Sequence, residues 1–439
     1  MKNTNKIVSI VVLVAVLVAT VAGAYLGFAG RNTQMVTVNV NGEETERALY
    51  RQVAFIPNTF NKNWQEAIVP SAQLGGGIEY IYTADQGDMT DAEFAKAVKA
   101  AAKVLGDRAE MIAGDASVSY EGDTISVTVP TKDYDSLFAS ILTPVGDFSL
   151  CLYDAATGAF LDPALTDDHI KDAGYYVDST GAYQLQLQLT KKGQKALKTY
   201  ASENGGEALY LLQDGSYVGY LSMYPTMDTE FLNIPVEDWS YALGAAICLR
   251  SGELPLAVGM VDYQVVEGSL SALLDIVVMA MLIITVLAML FVVLRGKAAG
   301  LCNALTIAAQ GVVFCLILAL TAISSDWKLN VGALFLLTAC QVLFLGGMIL
   351  VNEKISALQK HRALKPALSQ AMKVSLKPLS IVYGALVVLG LAMMILFSAQ
   401  PAAAILGRMV AISGIVSFVA IFVALRGLVS CVVTLKKSK

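Results

Sequence analysis

The chain has 439 residues, of which 56% are apolar and 15% charged, with a net charge of −5. That balance excludes an ordinary soluble enzyme and calls for membrane spans. The acids crowd between Arg31 and Gly268, so the polar part is acidic, which argues against nucleic acid as a partner.

Apolar runs of roughly 20 residues, enough to cross a bilayer as a helix, lie near Ile7–Phe28, Leu273–Leu294, Ala298–Ile323, Leu329–Val351, Leu379–Ser398 and Ala402–Leu425. They predict a six-span α-helical membrane protein whose large polar region follows the first span. The first run reads either as an uncleaved anchor or as a signal peptide; its length favours the anchor. Lys2, Lys6, Arg295, Lys297, the basic stretch from Lys354 to Lys377 and the C-terminal lysines all fall on one side. The positive-inside rule then puts both termini in the cytoplasm and the large domain outside a cell membrane.

In the polar region, "GIEYIYTA" (Gly77 to Ala84) predicts a strand. "MTDAEFAKAVKAAAKVLG" predicts a helix capped at Thr90, with Phe94, Val98, Ala101, Ala102 and Leu105 on one face and Gly106 at its end. "ASVSYEGDTISVTV" predicts a hairpin turning at Glu121-Gly122-Asp123. A short helix near Tyr134–Leu142 follows, then strands "FSLCLYD" and "AYQLQLQLT", a helix "TKKGQKALKTYASEN", a strand "ALYLLQDGSYVGYL", a helix near Val236–Arg250 and a strand near Ala257–Val266. This order implies an α+β domain of antiparallel sheets with helices on one face. Cys151 and Cys248, the external cysteines, allow a disulfide or two buried thiols. No Cys/His cluster suggests a metal, and His169 and His361 fall on opposite sides of the membrane. With no Ser/His/Asp set, phosphate loop or dinucleotide fingerprint, neither an enzyme nor a cofactor is expected.

Three phrases, in order, resemble the SecD family of membrane subunits that assist bacterial protein export through the SecYEG channel. "LTKKG" carries Leu189, Thr190 and Gly193, "LQDG" carries Asp214 and Gly215, and "LRSGELP" carries Leu249, Arg250, Ser251, Gly252, Leu254 and Pro255. Ser269 and Leu270 match the family's phrase before the second span, and "LGGGIEYIY", with Gly76 and Gly77, resembles its opening "DLxGG" strand. The resemblance covers nearly the whole chain, and "LRSGELP" is its most specific piece.

It implies an anchor over 1–30, a ferredoxin-like base over 31–146 and 236–270, an inserted head over 147–235 that captures emerging polypeptide, and a five-helix membrane domain over 271–439. It also implies SecYEG, a SecF-like subunit, exported unfolded polypeptide and the lipid bilayer as partners. Tyr175, Tyr183, Tyr210, Tyr217 and Tyr220 are the candidate polypeptide contacts, because tyrosine is rigid and amphipathic; the alternative is that half or more of the head tyrosines simply pack the head. Gly205, Gly206 and Gly215 read as turns.

The departures from the family bear on energy coupling. Gln73 stands at the acid of "DLxGG", the paired-glycine phrase that follows "LDG" is missing, and Gly346 and Met348 fall where the family's fourth-span Asp and Asn stand. Asp275 and Asp326 are expected at outer ends of spans and Glu353 at a cytoplasmic end, so no carboxylate is expected near a midplane. Gln310, Gln341, Asn303 and Tyr383 can bond between helices but do not serve as proton carriers. Arg408 is expected to snorkel outward, or to pair with Asp326 or a lipid headgroup. Three functions stay open: a SecD-like export accessory, an RND-type transporter of lipid or small molecule, and a membrane scaffold or sensor.

Overall fold

The structure is a computed structural model and describes residues 2–28, 33–40, 43–50, 67–131, 134–325, 327–398 and 400–436. Contacts divide the chain into two compact units, 76–269 and 1–75 with 270–439. The described residues of 33–50 and 67–75, part of the stretch expected in the base, group with the helical unit.

In unit 76–269 the first layer is a four-stranded sheet. It is built from β3 (Gly77–Ala84), β4 (Ser117–Glu121), β5 (Thr124–Val129) and β15 (Val258–Val266). The order is β15-β3-β5-β4 and every neighbour is antiparallel, which is the ferredoxin-like arrangement. β3 and β5 bury alternate residues, and Ile78, Tyr80, Tyr82, Ile125 and Val127 pack with Val98, Ala101, Ala102 and Leu105 of helix α3 (Asp91–Ala113). The two glycines that start β3 are obligatory. A Cβ on Gly76 would stand 2.0 Å from the Val266 carbonyl oxygen, one on Gly77 1.9 Å from that of Val129, and both have positive φ.

Helix α3 starts at a capping box between Thr90 and Glu93. Gly106, expected at its end, lies inside it; the helix runs on to a left-handed cap at Gly114. A Cβ at Gly106 would come within 2.9 Å of Val118, so this glycine serves the packing of the helix on β4.

The chain leaves this layer through α4 (Ser136–Leu142) and enters the head. There, β6 (Phe148–Cys151), β7 (Tyr153–Asp154), β8 (Ala159–Phe160) and β9 (Leu165–Thr166) precede β10 (Ile170–Val177) and β11 (Tyr183–Leu189). Helix α5 (Lys191–Asn204), β12 (Ala208–Gln213), β13 (Ser216–Ser222) and β14 (Phe231–Val236) complete it. Two sheets form, β10-β11-β14 and β13-β12-β6-β9. The segment "ALYLLQDGSYVGYL" is thus a hairpin, not the single strand expected. Asp214 and Gly215 both take positive φ, as a two-residue Asp-Gly turn requires. In "QLQLQL", Leu185, Leu187 and Leu189 enter the head core while Gln186 and Gln188 alternate with them and are only half-buried, and Gln184, which is buried, donates to Asp178 Oδ2 at 3.0 Å. Helix α6 (Trp239–Ser251) returns the chain to β15, yet Ala242, Ala245, Ala246 and Cys248 pack in the head core. Cys151 and Cys248 are free, buried thiols.

The other unit holds α1 (Lys2–Phe28), a hairpin of β1 (Thr33–Val40) and β2 (Glu43–Tyr50), and the short α2 (Ala72–Gly75). Helices α7 (Ser271–Ser325), α8 (Val331–Gln359), α9 (Leu364–Leu396), α10 (Pro401–Val419) and α11 (Arg426–Lys436) follow, the last two joined by a π-helical segment, Ala420–Leu425. Among the described residues, four helices are long and apolar enough to cross a membrane, and the apolar stretch of α1, Ile10–Tyr25, is shorter. The expected six runs thus fall on fewer elements, because α7 carries two of them. It is broken at Lys297, whose φ of 48° and ψ of −122° are not helical.

Small residues bring α9 and α10 together: a Cβ on Gly390 would meet the Gly407 carbonyl oxygen at 2.4 Å. Gly347 of α8 likewise faces the Tyr383 hydroxyl of α9, which a Cβ would approach to 2.2 Å. Gly347→Ala is expected to destabilise the helical unit by about 1–3 kcal/mol. Adding Tyr383→Phe should recover most of that loss, as read from thermal unfolding in detergent; no recovery would mean that the two residues do not meet.

Candidate functional site

Two features of unit 76–269 stand out, a buried cation where the chain crosses between base and head, and an exposed group of aromatic rings on the head.

Arg108 sits on the apolar stripe of α3, three residues after Leu105, and is 0% exposed. Its guanidinium has five N–H donors, and all five are used. Nε donates to Ser251 Oγ at 3.0 Å, and Nη1 to the carbonyls of Leu142 at 2.9 Å and Pro144. Nη2 donates to those of Val145 at 3.1 Å and Gly252 at 3.0 Å. Burial pulls the pKa of Arg108 down, while Cys248 and Asp214 push it up; an arginine stays charged even so.

The outgoing chain at 142–147 and the returning chain at 251–254 are therefore tied to one side chain. Asp214 adds to the tie, accepting from the amides of Gly146 and Asp147, both at 2.9 Å, and Leu254 N–H donates to Val145 O at 2.8 Å. Here the motif residues acquire physical roles. Ser251 and Gly252 are acceptors, Leu254 enters the base core, and Leu249 packs on the head core. Arg250 makes only a surface pair with Asp172, at 3.3 Å, while Pro255 is exposed.

Three of the rings lie on one face of β12 and β13, and two on the β7–β8 hairpin beside it. Tyr210 is half-buried at the centre, with ring centroids 5.7 Å from Tyr220, 6.1 Å from Tyr217, 6.0 Å from Tyr153 and 5.8 Å from Phe160. The other four are exposed: Tyr153 44%, Phe160 39%, Tyr217 49% and Tyr220 50%. Tyr217 and Tyr220 are three residues apart and would point to opposite faces of a regular strand. The register shift between Leu211 and Leu212 leaves Val218 without a partner, so that Tyr220 stands opposite Tyr210 and Tyr217 opposite Leu212. Burial, aided by Tyr220, Glu237 and Tyr210, raises the pKa of Tyr217, so this ring keeps its proton at neutral pH.

Of the five tyrosines singled out from the sequence, Tyr210, Tyr217 and Tyr220 come together. Tyr175, on β10, and Tyr183, on β11, belong to the other sheet, and Tyr183 packs against the head core. Tyr153 and Phe160, absent from that set, pair across the β7–β8 hairpin. Their signal is "YDAATGAF", in which Asp154 accepts from Ala156 N–H at 2.8 Å and the Thr157 hydroxyl at 2.7 Å and so turns the chain.

In the helical unit, Gln310 and Gln341 exchange two amide hydrogen bonds of 3.0 Å between α7 and α8. Asn303 donates to Asn352 at 2.7 Å. Glu353 pairs with Arg295 at 3.4 Å. Asp275, Gly346 and Arg408 are exposed; Asp326, the partner expected for Arg408, lies outside the described residues.

No family model matches the chain, and no curated protein matches it. Among solved structures it is similar to SecDF in a super-membrane-facing form, with a TM-score of 0.69, 15% identity, and coverage of 98% of this chain and 57% of that one. SecDF from Thermus thermophilus, described as translocon-associated, gives 0.42 at 18% identity over 97% of this chain and 58% of that one. A SecDF component described as enhancing protein export gives 0.35 at 16% identity, covering 43% and 100%. The last two scores are too low to carry argument. The first shows a SecDF-like fold, and this chain spans a little over half the length of that protein.

Arg108→Met in the full chain should cost about 3 kcal/mol or more of stability, since it removes a buried donor from four backbone carbonyls and a hydroxyl at once. Arg108→Lys should recover only part, because an ammonium has three donors and no fork. Arg250→Ala should cost less than about 1 kcal/mol. Thermal unfolding checks the order; equal losses at Arg108 and Arg250 would remove the tie from the account.

Proposed function

We propose that the chain is a SecD-like accessory subunit of the Sec preprotein translocase, not an enzyme, which holds exported polypeptide on the outer side of the cell membrane. The observation that carries this reading is the aromatic platform of Tyr153, Phe160, Tyr210, Tyr217 and Tyr220 on a SecDF-like fold. Exposed rings in contact, with no charge among them, bind apolar and backbone groups of an extended chain without asking for a sequence. That is what a carrier of many different unfolded substrates needs.

In this proposal the chain crosses the membrane six times, with α1 as the first span and the break at Lys297 as the cytoplasmic turn between two halves of α7. Both termini are cytoplasmic by the positive-inside pattern. The base comprises the sheet around β3 and the head the residues inserted between α4 and α6. SecYEG and a SecF-like subunit are the partners. With Gly346 at the family's acidic position, proton coupling rests on a carboxylate of that second subunit.

A photoreactive residue in place of Tyr220 should crosslink to a stalled export substrate, and one in place of Tyr175 should not. Serine at Tyr153, Tyr217 and Tyr220 together should weaken binding of an unfolded polypeptide on the order of tenfold or more. Crosslinking at Tyr175 alone would move the site to the other sheet. Crosslinks to lipid, with no polypeptide, would replace the proposal with the transporter reading.

A further inference from the structure

Helix α9 begins with "LKPALSQAMKVSLKP", in which Lys365, Ser369, Met372 and Lys373 recur at helical spacing and so share one face. The facing element is the junction of the π-helical segment with α11, where Arg426 and Ser430, four apart, also share a face. Together these residues line a pocket of about 330 Å³, within the range of small-ligand sites. It is lined by no acid. Lys365, Lys373 and Arg426 are exposed and make no ion pair among the described residues. Three uncompensated cations around two hydroxyls call for a multiply hydrogen-bonding anion, of which phosphate is the best match.

Two further facts choose the source of that phosphate. The rest of the lining is apolar, with Leu368, Met372, Leu376 and Phe422. The pocket also stands where apolar runs end, since Arg426 directly follows the Ala402–Leu425 run and Lys373 precedes the Leu379–Ser398 run. That is the level at which headgroups meet acyl chains. A free phosphate has no use for the apolar wall; a phospholipid needs both parts. A π-helical turn, a feature frequent at functional sites, leads into the cluster at Arg426.

We infer that this pocket is a binding site for one anionic phospholipid, its phosphate held by Lys365, Lys373 and Arg426 and an acyl chain lying along Leu376 and Phe422. The site does not depend on the export function.

The test uses the full chain, stripped of lipid in a zwitterionic detergent and offered phosphatidylglycerol and phosphatidylcholine with identical acyl chains. Native mass spectrometry then reads the lipid retained. Phosphatidylglycerol should be preferred, and Lys373→Gln and Arg426→Gln should each reduce its retention about fivefold. Lys373→Arg should keep it, which separates charge loss from misfolding. Lys377→Gln, which neutralises an exposed lysine of the same helix outside the lining, should leave it unchanged. Equal retention of the two lipids, or an equal loss at Lys377 and Arg426, would overturn the site in favour of a diffuse basic surface. Displacement of phosphatidylglycerol by inorganic phosphate at the same concentration would overturn the lipid assignment.

Discussion

Unit 76–269 depends on burying one guanidinium that makes no ion pair among the described residues, Asp214 acting on it only through space. A charge taken out of water is tolerated only if its hydrogen bonds are replaced in full, and Arg108 obtains that from five oxygens on the two strands of chain that connect base to head. The carbonyls must all point inward at one place, which fixes the path of both crossings. Helix α6 then follows without freedom: its alanines seat in the head core while Leu254, three residues beyond its end, enters the base core. A ferredoxin-like sheet can accept so large an insertion between its third and fourth strands because entry and exit are tied to one side chain.

The head uses that anchorage to present a surface that would be a liability elsewhere. Leu209, Leu211 and Leu221 of its β12–β13 hairpin fill the core, and Tyr210, Tyr217 and Tyr220 occupy the other face. Tyrosine suits such a face because it has area to bury on a partner and a hydroxyl to keep in water meanwhile. The bulge at Val218 matters more than composition, because it gathers two rings that a regular strand would set on opposite faces.

What was legible in the sequence was local. The helix cap at Thr90 and the alternation of β5 are local spacings that the structure repeats, whereas of the six apolar runs it gives four helices long and apolar enough to cross a membrane among the described residues. What was not legible depended on partners distant in the chain. Gly106 reads as a helix stop until Val118 is seen beside it. Tyr175 and Tyr210 look alike as strand tyrosines, and only sheet order separates them. Arg108 did leave a signal, a lone cation on a buried stripe, but its acceptors are mainly main-chain oxygens more than thirty residues away, which carry no side-chain signature. Within "LRSGELP", Arg250 stands at the surface, and its neighbours Ser251 and Gly252 hold the structural role.

The polar groups of the helical unit bound what it can do under the proposed reading. Gln310 and Gln341 satisfy each other with neutral amides, so they fix two helices together at every pH. Among the described acids, Glu353 has an ion-pair partner, Arg295, and both side chains are substantially exposed, at 42% and 64%. A pair so open to solvent is worth at most about 1 kcal/mol. Moving a two-state element from nearly all one form to nearly all the other takes about 5.5 kcal/mol. Protonating Glu353 therefore falls short by a factor of about five, and Asp275, exposed on the second turn of α7, makes no ion pair among the described residues that protonation would break. Under the proposed reading, neither of these two described acids supplies the coupling to a proton gradient, and a carboxylate of the second subunit is left to do so.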